Sequence, residues 1–399
     1  MLMPKIRGVV LFIKWQRKGN VMKVKFLALL LSSSLISACG GGSSADNEPP
    51  VITPPEVTLT KEQAQTKLLA AQADNYIMPA YQALTTEAEN FEQASIDFCS
   101  ENTANESSLT SLKNAWLSLS KSWQFAKAIK MGPESEDFRH FRMQFWPDNN
   151  RAVARGVASL LAAQTIDLNA VQSLQDGAQG LPALEVLIFT QGQNSLLNAS
   201  DSEARCLAVM AIAENIKSIS ATILEKWQNS QTGFVNDFKD GAGQYETKQA
   251  VLEDFVTNWF ELIEVIKDNK INDVKGTLLP GVPEKAESYL SKSSFENIKQ
   301  NFAALETAYL AGQGYGFDEY LVDIHENTEV NETILAYFNQ INSQLNTFDS
   351  ALSKAVTEST ERDKLVTLVA TIDELRSYLA TDFIQVTGLN PNFNSNDGD

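Results

Sequence analysis

The sequence predicts an all-α protein built as two tandem helical bundles, and three observations carry that prediction. Apolar residues recur at steps of three and four along nearly every long segment, as one face of a helix requires. Sustained period-two alternation of β-branched residues occurs nowhere. A break at Asn229–Gly243, with Gly233, Gly241 and Gly243, divides a folding region of roughly 340 residues, more than one hydrophobic core usually supports.

The N-terminus reads as an export signal over residues 1–38. Met22-Lys23-Val24-Lys25 is a basic n-region, and the apolar stretch from Phe26 to Ile36 is too short to span a bilayer stably. Leu35-Ile36-Ser37-Ala38-Cys39 has the form of a bacterial lipobox, which predicts lipidation of Cys39 as the mature N-terminus, against the alternative of an ordinary signal with a chance cysteine. Five basic residues around a weak apolar patch in residues 1–21 point to Met22 as the true start. Gly40, not Asp, follows Cys39, which favours the outer membrane, facing the periplasm. Residues 39–59, with Gly40-Gly41-Gly42-Ser43-Ser44 and the Pro49–Pro55 cluster, read as a flexible linker.

The bundles are expected over residues 60–230 and 231–399. Thr60-Lys61-Glu62-Gln63 has capping-box form and opens a helix that Pro79 is expected to kink near Met78. Ser200-Asp201-Ser202-Glu203 is expected to cap a helix whose stripe is Val209, Ile212, Ile216, Ile219, Ile223 and Trp227. Ile334, Ile341, Leu345, Phe348 and Leu352 form another stripe; Leu365, Leu368, Ile372, Leu375 and Leu379 form the last. Antiparallel packing is the simplest way to bury them. The polar end Asn394–Asp399 lacks the spacing of a calcium loop and reads as a tail.

Charge narrows the partners. The chain holds 32 Lys and Arg against 50 Asp and Glu, a net charge of −18. Residues 1–38 carry seven basic and no acidic side chains, so the mature chain is near −25. That excludes nucleic acid as a partner and suits metal cations or basic partners, with solubility alone as the plainer reading. Besides Cys39 there are only Cys99 and Cys206, and an oxidising compartment predicts a disulfide between them, with two buried thiols as the alternative.

Catalytic signatures are mostly missing. The only histidines are His140 and His325; His325-Glu326-Asn327-Thr328-Glu329 approaches a zinc-protease pattern but has Glu329 where the second imidazole belongs. No Gly-x-Ser-x-Gly elbow and no phosphate-cradling glycine loop occurs. Glu185 stands out because Leu184, Val186, Leu187, Ile188 and Phe189 surround it in sequence. Burying a carboxylate there is costly unless it is paired, hydrogen-bonded or bound to a cation. Its alternatives are an outward orientation or pairing with Arg139 or Arg142.

These segments together resemble the imelysin family, described both as peptidases and as iron-regulated envelope proteins. The resemblance rests on ordered pieces: the helix around Tyr76–Tyr81 with its internal Pro79, the Trp116 and Trp123 helix, Gly132-Pro133, Trp146-Pro147, and Gly180-Leu-Pro-Ala-Leu-Glu185 with its apolar tail. It continues through Ser293–Asn297, Asn301-Phe302 and Gly314–Asp318, covering about residues 60–399. It implies two helical bundles with a site between them. The family motif is Gly-x-His-x-x-Glu; Gly180 and Glu185 match it, but Pro182 stands at the histidine, which puts a metal or hydrolytic role in doubt.

With the acidic balance and Glu185, the resemblance implies a metal-binding or accessory envelope lipoprotein of iron uptake. Its candidate ligands for iron are Glu185, His140, Asp318 and His325; carboxylate-rich sites suit harder cations. The alternatives are a metal-assisted peptidase, which the residues favour less, and a non-catalytic lipoprotein that binds another envelope protein.

Overall fold

The computed structural model describes residues 59–100, 104–229 and 231–392. The expected signal, Cys39, most of the linker and the tail beyond residue 392 lie outside the described residues. Those described contain helices and no strand, and they fall within one compact unit.

The first rod is α1 (Lys61–Gln72) and α2 (Met78–Cys99), joined by a π-helical turn, Ala73–Ile77. The predicted capping box opens it: Gln63 donates its N–H to Thr60 Oγ1 at 3.2 Å, and Thr60 donates its own to Gln63 Oε1 at 3.0 Å. The π turn falls just before Pro79, whose missing N–H and crowding ring disturb the regular ladder there. After α3 (Glu106–Ala126) come α4 (Arg139–Met143), α5 (Ala152–Leu161), α6 (Leu168–Gln172) and α7 (Leu181–Phe189). The 27-residue α8 (Ser202–Gln228) follows.

Asp201, within the expected capping segment, occupies the cap position of α8, but its carboxylate takes Arg205 Nε at 2.7 Å instead of a backbone N–H. An arginine one turn on competes successfully for the carboxylate. By length and composition α8 is apolar enough to cross a membrane, yet Val209, Ile212, Ile216, Ile219, Ile223 and Trp227 are all buried in the core. Cys206 on α8 is disulfide-bonded to Cys99 at the end of α2, with Cα atoms 5.6 Å apart.

The glycine-bearing break contains a short helix, α9 (Phe234–Asp240), stopped by Gly241 at φ +65°. The second half comprises α10 (Lys248–Glu264), a π-helical stretch Val265–Asn272, and α11 (Asp273–Lys275), then α12 (Ser294–Tyr309) and α13 (Phe317–His325). It closes with α14 (Thr328–Leu345), α15 (Leu352–Ala355), α16 (Ser359–Tyr378) and α17 (Ile384–Thr387). The predicted stripe starting at Ile334 is buried throughout, although α14 ends at Leu345 and Phe348 and Leu352 pack from beyond it. The stripe Leu365, Leu368, Ile372, Leu375 and Leu379 is likewise buried.

The halves share a seam. Helix α3 packs on α2 on one side and on α12 on the other. Along that seam Asn301 on α12 donates to the Gln124 carbonyl of α3 at 2.7 Å. The cleft opens at this seam.

Candidate functional site

A cleft of about 530 Å³ is walled by the strip Gln144–Arg151, by α7 with Pro182 and Glu185, and by the loop from Val282 to Leu290. Aromatic surface comes from Phe145, Trp146 and Tyr289, and polar surface from Asn149, Asn269 and Lys285.

Local sequence explains how α7 reaches this wall. A Cβ on Gly180 would stand 2.2 Å from the Met143 carbonyl oxygen, so only glycine lets the helix start so close to the preceding strip. Pro182 sits in the first turn, where an N–H has no intrahelical partner anyway. One turn later Glu185 is 8 % exposed. Its Oε1 accepts the Ser291 N–H at 2.8 Å. Burial pushes the Glu185 carboxyl up to about 7, the Ser291 hydrogen bonds oppose that rise, and the nearby Glu287 carboxylate adds to it. Neither Arg139 nor Arg142 pairs with Glu185: Arg139 holds Glu136 and Asp137, and Arg142 holds Gln179.

Behind the wall lies a buried polar network that the sequence reading missed. Lys270 donates to Glu287 Oε2 at 2.7 Å, Gln124 Oε1 at 2.9 Å and Asn301 Oδ1 at 2.7 Å, which uses all three of its protons. Glu287 also accepts from Gln144 and Asn297 at 3.0 Å each. Gln144 Oε1 in turn accepts from Trp123, Gln124 and Lys127. Burial alone would raise the Glu287 carboxyl, but Lys270 and Lys127 outweigh it and hold it below its usual range. Burial, reinforced by Lys270, brings the Lys127 ammonium down to about 7. A signal did exist in the sequence. Ser120 and Gln124 continue the Trp116 row of α3 at steps of four, and Asn297 and Asn301 sit among Ile298, Phe302 and Leu305 on α12.

The other expected site residues go elsewhere. His140 Nδ1 lies 2.6 Å from Glu134 Oε1, while Tyr81 donates its hydroxyl to Glu134 Oε2 at 2.6 Å. Glu134 is wholly buried. Burial lowers the His140 imidazole, against the opposing pull of Glu134. Asp318 and His325 stand at opposite ends of α13, and neither lines the cleft. Burial, then Glu319, raises the Asp318 carboxyl to about 7; burial, then Lys61, lowers His325. Gly132 has φ +55°, and a Cβ there would meet the Phe234 ring at 2.4 Å. The Pro133 carbonyl accepts from Arg139 at 2.8 Å. Of the residues singled out from sequence, Trp116, Trp146, Pro147, Pro182 and Glu185 line the cleft and Gly180 supports it.

The four expected metal ligands are therefore not brought together. Among the described residues no group of three or more His, Cys, Asp or Glu side chains is placed to hold a metal ion. At the cleft the reason is chemical. The Pro182 side chain offers no ligating atom where the family pattern has an imidazole, and Glu185 meets a backbone N–H. The neighbouring Glu287 is already matched by Lys270. These residues do not fit a resident metal.

A sequence model of the imelysin family, a peptidase family by its label, matches residues 77–379. A search of curated proteins returns no match. Among solved structures, an imelysin-like protein from Psychrobacter arcticum aligns with a TM-score of 0.71 at 18 % identity, covering 84 % of this chain and 99 % of that one. A protein described as an iron-regulated protein A precursor, from Parabacteroides distasonis, aligns with a TM-score of 0.67 at 14 % identity, covering 82 % of this chain and 97 % of that one. At such identities the structural likeness speaks to the fold alone. With the family pattern spanning three quarters of its length and the same all-helical architecture, the chain belongs to the imelysin family.

Proposed function

We propose that this imelysin-family protein is a cell-envelope lipoprotein, anchored through Cys39 in the outer membrane and facing the periplasm, that serves iron uptake as an accessory binding protein. Its cargo enters the Glu185 cleft. One observation carries the reading: Glu185 is a buried carboxylate of the cleft with no cationic side chain paired to it among the described residues, whereas Glu287 behind it has Lys270. A buried acid in that state favours a ligand that brings a positive charge or a hydrogen-bond donor. The iron-regulated name of one structural relative supports iron as the theme.

Because no three His, Cys, Asp or Glu side chains converge on one point among the described residues, iron is read as cargo inside a chelate. The rings of Phe145, Trp146 and Tyr289 suit the organic shell of such a complex. Hydrolysis would need a metal-activated water and a base, and the side chains for that are not assembled in the cleft. Binding is therefore favoured over catalysis. Calorimetric titration with ferrous and ferric salts, ferric citrate and a ferric catechol complex tests this, beside Glu185→Gln. The expected result is saturable heat with at least one complex, weakened in the variant; flat traces throughout would remove the reading.

A further inference from the structure

Leu278, 78 % exposed, is the most exposed large apolar side chain among the described residues, and Leu279 beside it is 51 % exposed. They occupy the turn between α11 and the 3-10 turn Pro283–Lys285 that leads into the cleft wall. The turn is built rather than slack. Val282 donates to the Val274 carbonyl at 2.8 Å and Gly281 to the Leu278 carbonyl at 2.9 Å. The Arg362 guanidinium, reaching from α16, donates to the Lys275 and Gly276 carbonyls. Gly276 and Gly281 take φ of +59° and +74°, and a Cβ on Gly281 would press on the Val274 carbonyl at 2.8 Å. The base is thus clamped by main-chain bonds and an arginine, which keeps two adjacent leucines from folding back onto the core.

We propose that Leu278 and Leu279 form an insertion tip that seats the domain on a lipid surface. Area argues for lipid over protein. Two side chains, flanked by the charged residues Asp273, Lys275, Glu284 and Lys285, fall far short of the roughly 800 Å² each partner contributes to a stable protein interface. An interfacial insertion needs only a small apolar protrusion reaching the acyl boundary. The flanking charges balance, two acids and two lysines, so neutral headgroups suffice and the acidic chain is not drawn to anionic ones. The chain outside the described residues fits. If Cys39 is lipidated, the segment from it to residue 59 can extend no further than about 70 Å, which keeps the tip at high local concentration near the bilayer. That last argument rests on the proposed anchor; the exposure and the clamp do not. Since residues 282–290 run directly from the tip into the cleft wall, insertion would set the cleft mouth close to the membrane surface.

The test uses the lipidated full chain in phosphatidylcholine vesicles, with a polarity-sensitive fluorophore at Leu278→Cys or, as control, at Val366→Cys, a position 53 % exposed on α16. Spin-labelled lipid is expected to quench the label at 278 and spare the one at 366, and Leu279→Ser is expected to weaken the 278 signal about tenfold. Equal quenching by an aqueous reagent at both positions, with none from the lipid, would overturn the tip. Mass measurement reads the lipid on Cys39 separately. A chain without lipid whose 278 label still partitions into added vesicles would uphold the tip and refute the anchor; one that fails to partition would overturn the tip.

Discussion

Ser291 donates its backbone N–H to Glu185 Oε1 at 2.8 Å across 106 residues of sequence, and so fastens the loop of the second half onto helix α7 of the first. The carboxylate that looked anomalous in an apolar run is thus also what closes the cleft wall. Its second neighbour in charge is Glu287, not a cation. The cleft holds an acid that is hydrogen-bonded yet uncompensated.

Protonation of Glu185 should be visible in stability. A carboxyl raised from 4.5 to about 7 on folding binds more protons in the native state across that interval, so its contribution is present in full below pH 4.5 and lost as pH climbs to about 7. The loss is about 3 kcal/mol. Glu185→Gln, which keeps an oxygen for Ser291, should abolish this slope and be the more stable protein at pH 8. Urea unfolding between pH 4.5 and 8 measures it; parallel curves for both proteins would refute the assignment.

Lys270→Met should be severely destabilising, by about 3–5 kcal/mol, because it leaves the buried Glu287 without its counter-charge. Lys270→Met combined with Glu287→Leu should recover part of that loss, since no charge is left unmatched by its partner, although Gln124, Asn301, Gln144 and Asn297 each lose a hydrogen bond. Denaturant midpoints of the single and double variants decide; equal midpoints would show that the pair is not coupled.

Replacing Cys99 and Cys206 by serine should lower stability by roughly 2–5 kcal/mol, since the bond closes a loop between residues 107 apart. Thermal unfolding of the oxidised, reduced and double-serine proteins checks it, with the last two expected to coincide.

Pro182→His restores an imidazole three residues before Glu185, and both positions face the cleft. The variant should bind a divalent transition metal saturably and more tightly than the parent, read as calorimetric heat. No gain would mean that the helix does not present the two side chains to a common ion.

Much of the fold was legible because helical periodicity reports directly on burial. The Val209 to Trp227 and Leu365 to Leu379 rows are in the core, as their spacing demands. The capping box at Thr60 formed because both partners lie within four residues. Tertiary choices were less legible. Asp201 turned to Arg205, a competition between two local partners of similar reach. At the site, Glu185 could be flagged from its neighbours, but its partner Ser291 lies in a loop whose path no local pattern fixes. The Lys270–Glu287 pair escaped for the same reason, although Gln124, Asn297 and Asn301 sit at core spacing and hinted that something polar is buried along the seam. His140 could be seen as one of only two histidines; that Glu134 would claim it depended on the tight turn after Gly132.

The most direct measurement is a crystal of the chain soaked with a ferric chelate, with anomalous scattering collected at the iron edge. A single strong iron peak is expected inside the cleft bounded by Glu185, Trp146 and Tyr289, and its loss in Glu185→Gln. Iron only at scattered surface carboxylates, or a cleft that stays empty in both proteins, would contradict it.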